Sequence, residues 1–362
     1  MTGQKVYVAM SGGVDSSVSA ALLREQGYDV TGVFIKTWHP PFLECTWKEE
    51  RKDAMDVCAH LGIPFKTFDL EETYKKEVVE YMISEYASGR TPNPDVMCNE
   101  KIKFGAFFKK AREEGAEYVA TGHYARIKTQ NTKHETRNVE LLAGVDVQKD
   151  QSYFLWRVPK EVFAHVLFPV GDIEKVEVRE QAHRFGLSVA DKKDSQGVCF
   201  LGHVDMRDFL KKFIAVSVGA VLNERGDVIG THDGALLYTL GQRHGFHVTK
   251  KTPTDGPLYV VSKDIERNTI TVSHNLTTDS AFSHTDVVLE QVNWISVAPV
   301  VHKEYTARFR YRQPLQACVV DVVGENVRIH FTEPQHSIAL GQSVVVYDGD
   351  VCIGGGVVCA VA

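Results

Sequence analysis

Near the start of the chain, Ser11-Gly12-Gly13 joins an apolar run, Val6 to Met10, to a segment opening with Asp15, Ser16 and Ser17. Glycines between a strand and a helix N-terminus let backbone N–H groups close on phosphate oxygens, and the helix dipole favours the negative charge. Ser11 and Ser16 add hydroxyls, and Asp15 stands where a carboxylate can hold Mg²⁺ beside a pyrophosphate. The segment is neither G-x-x-x-x-G-K-[ST] nor G-x-G-x-x-G, and no Lys follows to reach a terminal phosphate. These parts suit a nucleotide cleaved between its α- and β-phosphates. A Gly-Gly turn can be a plain connection, but a strand before it and a helix after it favour the phosphate role.

Two cysteines stand in polar, lysine-containing settings. In the stretch from Gly89 to Phe104, Pro92 and Pro94 stiffen a loop, and Asp95 and Cys98 follow three residues apart at the start of a helix expected over Lys101 to Lys110. A thiol near a helix N-terminus, with Lys101 and Lys103 close by, is expected to be more acidic than usual. In Ala190 to Gly202, Cys199 follows a polar loop and precedes Phe200-Leu201. Either could be a buried structural thiol. Beside a phosphate loop, a pair of such thiols fits sulfur transfer, in which one carries a sulfane sulfur and the second helps release it. The remaining cysteines, at 45, 58, 318, 352 and 359, have no zinc-site spacing and read as inert.

Several elements must position these groups. The first part of the chain alternates strand and helix: strands at Val6 to Met10, Val30 to Ile35, Phe65 to Leu70 and Tyr118 to Thr121, with helices from Asp15, around Glu49 to Leu61, Glu71 to Tyr86 and Phe104 to Glu114. That rhythm is an α/β, doubly wound parallel sheet, which binds ligands at the carboxyl ends of its strands. Lys128 to Asn138 reads as a hairpin tip. From about Met206, short strands are punctuated by turns such as Glu224 to Asp227 and Asp264 to Asn268. From about Ser283 the chain reads as Val-rich short strands, fitting a small barrel or sandwich. Three parts are expected: a phosphate-loop catalytic domain over 1–205, a β-rich adaptor domain over 206–282 and a C-terminal β-barrel over 283–362.

The 362 residues, 43% hydrophobic and 24% charged, suit a soluble globular chain, with no apolar run of membrane-spanning length. The first strand begins almost at once, so a cytoplasmic protein without a leader is expected. A net charge of −6 does not suggest a nucleic-acid partner unless basic groups cluster locally. Arg308, Arg310 and Arg312 alternate with period two. As a strand they would share one face, either an ordinary exposed face or a phosphate-binding stripe.

The loop is similar to that of the PP-loop ATP pyrophosphatases, whose signature is SGGxDS. With the further blocks Gly89 to Phe104, Ala120 to Ala125 (ATGHYA), Lys149 to Leu155 (KDQSYFL), Asp194 to Phe200, Tyr238 to Arg243 (YTLGQR) and Arg310 to Gln313 (RYRQ), the chain resembles the bacterial tRNA-specific 2-thiouridylases over nearly its whole length. The resemblance implies ATP-dependent 2-thiolation of the wobble uridine of glutamate, lysine and glutamine tRNAs, through an adenylated uridine and an enzyme persulfide. It places ATP on Ala9, Met10, Ser11, Gly12, Gly13, Val14, Asp15 and Ser16, with Ile35 (often Met in the family) and Gly122 lining the nucleotide site. It implies a persulfide on Cys199, a nucleophile or resolving thiol at Cys98, a disulfide between the two, and Asp95 as acid/base. Asn93, Pro94 and Asp95 would meet the flipped base, and Lys149, Asp150, Gln151, Arg310 and Tyr311 other parts of the tRNA. The sulfur would come from a cysteine desulfurase, directly or through a relay protein. A phosphate-loop amidating ligase would need an ammonia source or glutaminase module, and the sequence has none. A non-catalytic tRNA-binding protein would have a damaged loop or lack the cysteines, and both are intact.

Overall fold

The computed structural model describes residues 3–42, 47–130, 138–194, 205–249, 256–274, 283–323 and 326–362. Cys199 lies outside the described residues. Strands β1 (Lys5–Ala9), β2 (Asp29–Lys36), β3 (Phe65–Asp69), β4 (Tyr118–Ala120), β5 (Ala125–Gln130), β6 (Asn138–Ala143) and β7 (Val166–Leu167) belong to the first part of the chain. Five of them form a parallel sheet in the order β3-β2-β1-β4-β7. The chain winds outward from β1 in both directions, so the gap between the carboxyl ends of β1 and β4 is the switch point, where such sheets open a binding crevice. Along β1, Val6 and Val8 pack into one apolar cluster and Tyr7 into another. The strand's period of two thus appears as two cores, one on each face of the sheet.

Helices Val14–Glu25, Trp47–Leu61 and Lys175–Arg184 contribute buried residues to the core that holds Val6 and Val8. Helical stretches 71–87 and 94–113 contribute to the core that holds Tyr7. The second stretch begins ten residues before the expected Phe104. Asn93 caps it, its Oδ1 accepting from Val96 N–H at 3.2 Å, and Pro94 takes the first position, where a missing N–H costs nothing. Cys98 therefore lies inside the helix, at the start of the wider π-helical turns of Cys98–Phe107.

The central part is a five-stranded sheet of β8 (Gly219–Leu222), β9 (Val228–His232), β10 (Phe246–Val248), β11 (Tyr259–Asp264) and β12 (Thr269–Ser273), in the order β10-β9-β8-β12-β11. The last strands are β13 (Ser283–Trp294), β14 (Glu304–Arg308), β15 (Gln316–Val323), β16 (Asn326–His336), β17 (Ser343–Asp348) and β18 (Val351–Val361). They pair as β13-β16-β15-β14-β17-β18, and β13 pairs again with β18, so six strands close into a barrel that has no free edge of its own. The β5–β6 hairpin leaves the first part and docks on this barrel, with Leu142 opposite Val351 and Leu141 opposite Cys352. No described helix is long and apolar enough to cross a membrane.

The arginine alternation does not become a strand. β14 stops at Arg308. Gln313 N–H then bonds Arg310 carbonyl at 3.2 Å, and Arg312 takes a φ of +63°, so the chain turns ahead of Pro314. A turn cannot keep three side chains on one face, and the expected stripe is absent.

Candidate active site at the switch point

Ala9 ends β1, Met10 is buried beneath the loop, and Ser11 to Gly13 cross to the helix that starts at Val14. Gly12 has φ +71°, and a Cβ on it would stand 2.3 Å from the Glu50 carbonyl oxygen, so only glycine fits this turn. Ser16 Oγ accepts from Ser11 N–H at 3.2 Å and lies 3.2 Å from Ser11 Oγ. The helix's N-cap, Gly13, offers no side-chain hydrogen bond. The first-turn N–H groups therefore have no side-chain cap, as an anion site at a helix N-terminus requires. From the other side of the crevice, Gly122 after β4 presses on the same helix start. A Cβ there would be 2.7 Å from Ser16 N. Ile35, partly buried near the carboxyl end of β2, completes the strand ends gathered here.

Charged groups from distant segments surround the loop, and Lys175, Arg179 and Lys192 among them carry no signal in the sequence. Asp15 Oδ1 accepts from the Tyr124 hydroxyl at 2.8 Å and from Lys175 Nζ at 2.6 Å. Burial, and then the facing Asp15 carboxylate, push the Tyr124 phenol well above its usual pKa, so it stays a donor. Lys192 Nζ donates to the Gly12 carbonyl at 2.9 Å and pairs with Asp53 at 2.6 Å. Asp194 collects Lys149 at 2.6 Å, Lys175 at 2.8 Å and Arg179 at 3.0 Å. Burial works against its ionisation, yet the Lys149 and Lys175 ammoniums hold its pKa down to about 2.

The helix carrying Asp95 and Cys98 reaches this crevice through Phe104. Its Phe104 ring packs on His123 at 5.9 Å, next to Gly122. His123 is buried and its Nδ1 lies 2.6 Å from Thr121 Oγ1. Burial, reinforced by Lys103, holds it well below the usual histidine pKa. Burial also raises the Asp95 carboxyl from its ordinary value, opposed by Lys103. Cys98 is buried at 4% exposure. The chain leading into this helix start at Asn93-Pro94-Asp95 is tied to the barrel, where Thr91 N–H donates to Leu340 carbonyl at 2.7 Å.

Two segments far apart in sequence meet at the junction with the barrel. The Tyr311 ring packs on Phe154 at 4.7 Å, its hydroxyl donates to Lys149 carbonyl at 3.4 Å, and Arg312 Nε donates to Gln148 carbonyl at 3.2 Å. Lys149 to Gln151 and Arg310-Tyr311 thus form one surface. Its members are not equally free. Arg310 Nη2 is committed to the carbonyls of Leu240 and Ser337, and Gln151 Oε1 accepts from Tyr124 N–H at 3.1 Å. Asp150 points inward instead of outward. It is 5% exposed, pairs with buried Arg308, and accepts from Gly144 and Ser152 N–H groups at 3.0 Å each. A buried carboxylate with these partners fixes the turn and does not itself face a ligand. Asp150→Ala would strand Arg308, and we expect a loss of about 3–5 kcal/mol in unfolding free energy by chemical denaturation. A loss under about 1 kcal/mol would remove this pair from the list of groups holding the junction.

Residues 4–203 match the family described as tRNA methyl transferase HUP domain, residues 207–274 the tRNA methyl transferase PRC-barrel domain, and residues 284–358 the aminomethyltransferase beta-barrel domain. A protein of Lysinibacillus sphaericus (strain C3-41) named tRNA-specific 2-thiouridylase MnmA is 45% identical over 359 residues, covering 98% of this chain and 94% of its own. One of the same name from Francisella philomiragia is 43% identical over 364 residues, covering 99% and 100%. Among solved structures, the U34-tRNA thiolase NcsA of Methanococcus maripaludis overlaps 55% of this chain and 63% of its own, at 18% identity and a TM-score of 0.36, too loose a superposition to compare sites.

Proposed function

This chain belongs to the family of tRNA-specific 2-thiouridylases, and on that premise we propose that it uses ATP to replace the C2 oxygen of the wobble uridine in glutamate, lysine and glutamine tRNAs by sulfur. A carbonyl oxygen is a poor leaving group. The uridine O2 attacks the α-phosphorus, the bond to the β-phosphate breaks, and pyrophosphate departs. The terminal sulfur of a Cys199 persulfide then attacks C2 and AMP leaves. Cys98 thiolate attacks the Cys199 sulfur, which frees the 2-thiouridine and leaves a Cys98–Cys199 disulfide. An external dithiol returns both cysteines to thiols, and a cysteine desulfurase, directly or by relay, reloads Cys199 in the cytoplasm.

Ala9 to Ser16, with Ile35 and Gly122, hold the nucleotide. Mg²⁺ fits Asp15, whose side chain is partly exposed at the loop. No cluster of three or more metal-ligating side chains occurs among the described residues, so the ion would share Asp15 with phosphate oxygens, as Mg²⁺ commonly does. It would neutralise the leaving pyrophosphate. Asp95, kept protonated longer than an ordinary carboxyl, donates to the activated base, and Asn93 and Pro94 shape the pocket around it. Lys149, Gln151, Arg310 and Tyr311 meet the tRNA, with Asp150 setting their turn.

The observation that carries this reading is the uncapped helix start at Gly13, joined through Gly122, His123 and Phe104 to the helix of Asp95 and Cys98. Incubating the enzyme with Mg²⁺, ATP and unmodified tRNA, with no sulfur source, should release pyrophosphate in amounts close to the enzyme added, and only with uridine at the wobble position. Equal release without tRNA would contradict the proposal.

A further inference from the structure

Asn99 follows Cys98 in the helix and is buried, at 2% exposure. Asparagine suits a helix interior poorly, because its amide competes for backbone hydrogen bonds. Here the amide reaches out of the helix instead, and Nδ2 donates to the Phe154 carbonyl at 3.2 Å. Its Oδ1 is buried and meets no hydrogen-bond partner among the described residues. A buried amide satisfied on one side only is unfavourable, and an apolar side chain would serve packing better. The contact that it does make leads to the barrel junction. Phe154 closes the turn Ser152–Phe154, and its ring packs on Tyr311 at 4.7 Å. Tyr153 fixes that turn to the barrel, its hydroxyl lying 3.1 Å from the carbonyl oxygens of both Phe309 and Ser343. One residue, Phe154, thus stands between the neighbour of Cys98 and the surface of Lys149 and Tyr311.

We propose that Asn99 is a positioning residue for Cys98: its amide ties the first turn of the widened helix to Phe154, so that tRNA seated on Lys149 and Tyr311 sets where the Cys98 thiol stands when it attacks the Cys199 sulfur. The assignment rests on the roles given above to Cys98 and to the Tyr311 surface, and adds the link between them. π-helical turns are rare and recur at functional sites. Cys98 opens such a run and Asn99 is its second residue, so an anchor there fixes the thiol at short range. A misplacement of about 1 Å in a reacting group can cost about 10²-fold in rate. Asp95 lies in the turn before, held by the Asn93 cap through Val96 N–H, so the step that it serves does not depend on this anchor.

The test is a single turnover of the full-length enzyme. Protein carrying its Cys199 persulfide is mixed with ATP, Mg²⁺ and unmodified glutamate tRNA, and pyrophosphate, 2-thiouridine and the Cys98–Cys199 disulfide are followed together. Asn99→Ala should form the disulfide and free 2-thiouridine about tenfold or more slowly, while tRNA affinity and pyrophosphate release stay within about twofold. Asn99→Gln, which keeps a donor on a longer arm, should recover part of the rate. Tyr311→Ala should slow the disulfide step even at saturating tRNA, and adding it to Asn99→Ala should slow it little further, because both break one connection. Tyr311→Ala also tests the link if Asn99→Ala does not fold, and an unaltered disulfide rate in it at saturating tRNA would overturn the assignment. So would equal losses of pyrophosphate release and disulfide formation in Asn99→Ala, or fully additive losses in the double variant, either of which leaves Asn99 as a packing residue. An unaltered enzyme that forms neither 2-thiouridine nor the disulfide would overturn the role of Cys98, and this assignment with it.

Discussion

Cys98→Ser should still accept a persulfide on Cys199 and yet thiolate no tRNA beyond the first partial step. Loading requires only the carrier thiol, whereas release requires a second thiolate to take the Cys199 sulfur. We expect turnover to fall by about a hundredfold or more. Cys199→Ser should show the complementary defect: it adenylates tRNA and releases pyrophosphate, but carries no sulfur adduct. Cys98 is buried within a well-packed helix, between the neighbouring core residues Val96, Met97 and Ile102. Serine has nearly the same volume, so the fold should persist in that variant. Intact-mass measurement of each protein after exposure to the donor checks both. An adduct that survives in Cys199→Ser and vanishes in Cys98→Ser would reverse the two roles.

Asp15→Ala should reduce tRNA-dependent pyrophosphate release by about 10²–10³-fold while tRNA affinity changes less than about twofold. The carboxylate lies in the first turn of the loop's helix and touches Tyr124 and Lys175, not the Lys149 and Tyr311 surface. Removing it leaves Lys175 paired with Asp194, so no buried charge is stranded. Asp15→Asn keeps an acceptor for Tyr124 but loses the charge. An equally inactive Asn variant would assign the effect to the charge and not to the hydrogen bond. Parallel losses of tRNA binding and pyrophosphate release in both variants would contradict the separation of the two surfaces.

The parts of the site legible in the sequence are those built from short-range pattern. Ser11 to Ser16, running from an apolar strand into a helix, are a local signal that the fold kept. The strand and helix alternation fixed where the carboxyl ends of β1 and β4 would be. What escaped depends on contacts between distant segments. Lys175 is disfavoured at its own helix terminus and acquires meaning only because that helix packs beside Asp15. Asp150 is expected at the tRNA because nothing local reveals its partner, Arg308, 158 residues away. The period-two arginines were misread because the positive φ at Arg312 and the turn ahead of Pro314 override alternation, which is only a propensity. The docking of β6 on the barrel leaves no mark in its composition, since Leu141 and Leu142 would suit any buried edge.

The central claim is chemical, and nucleoside mass spectrometry tests it most directly. Unmodified glutamate tRNA is incubated with the enzyme, ATP, Mg²⁺, a persulfide donor and a dithiol, then digested to nucleosides. The account predicts 2-thiouridine at the wobble position, dependent on ATP and absent with Cys199→Ser. Uridine that stays unmodified while the enzyme binds the tRNA and carries its persulfide, or 2-thiouridine formed equally well without ATP, would contradict it.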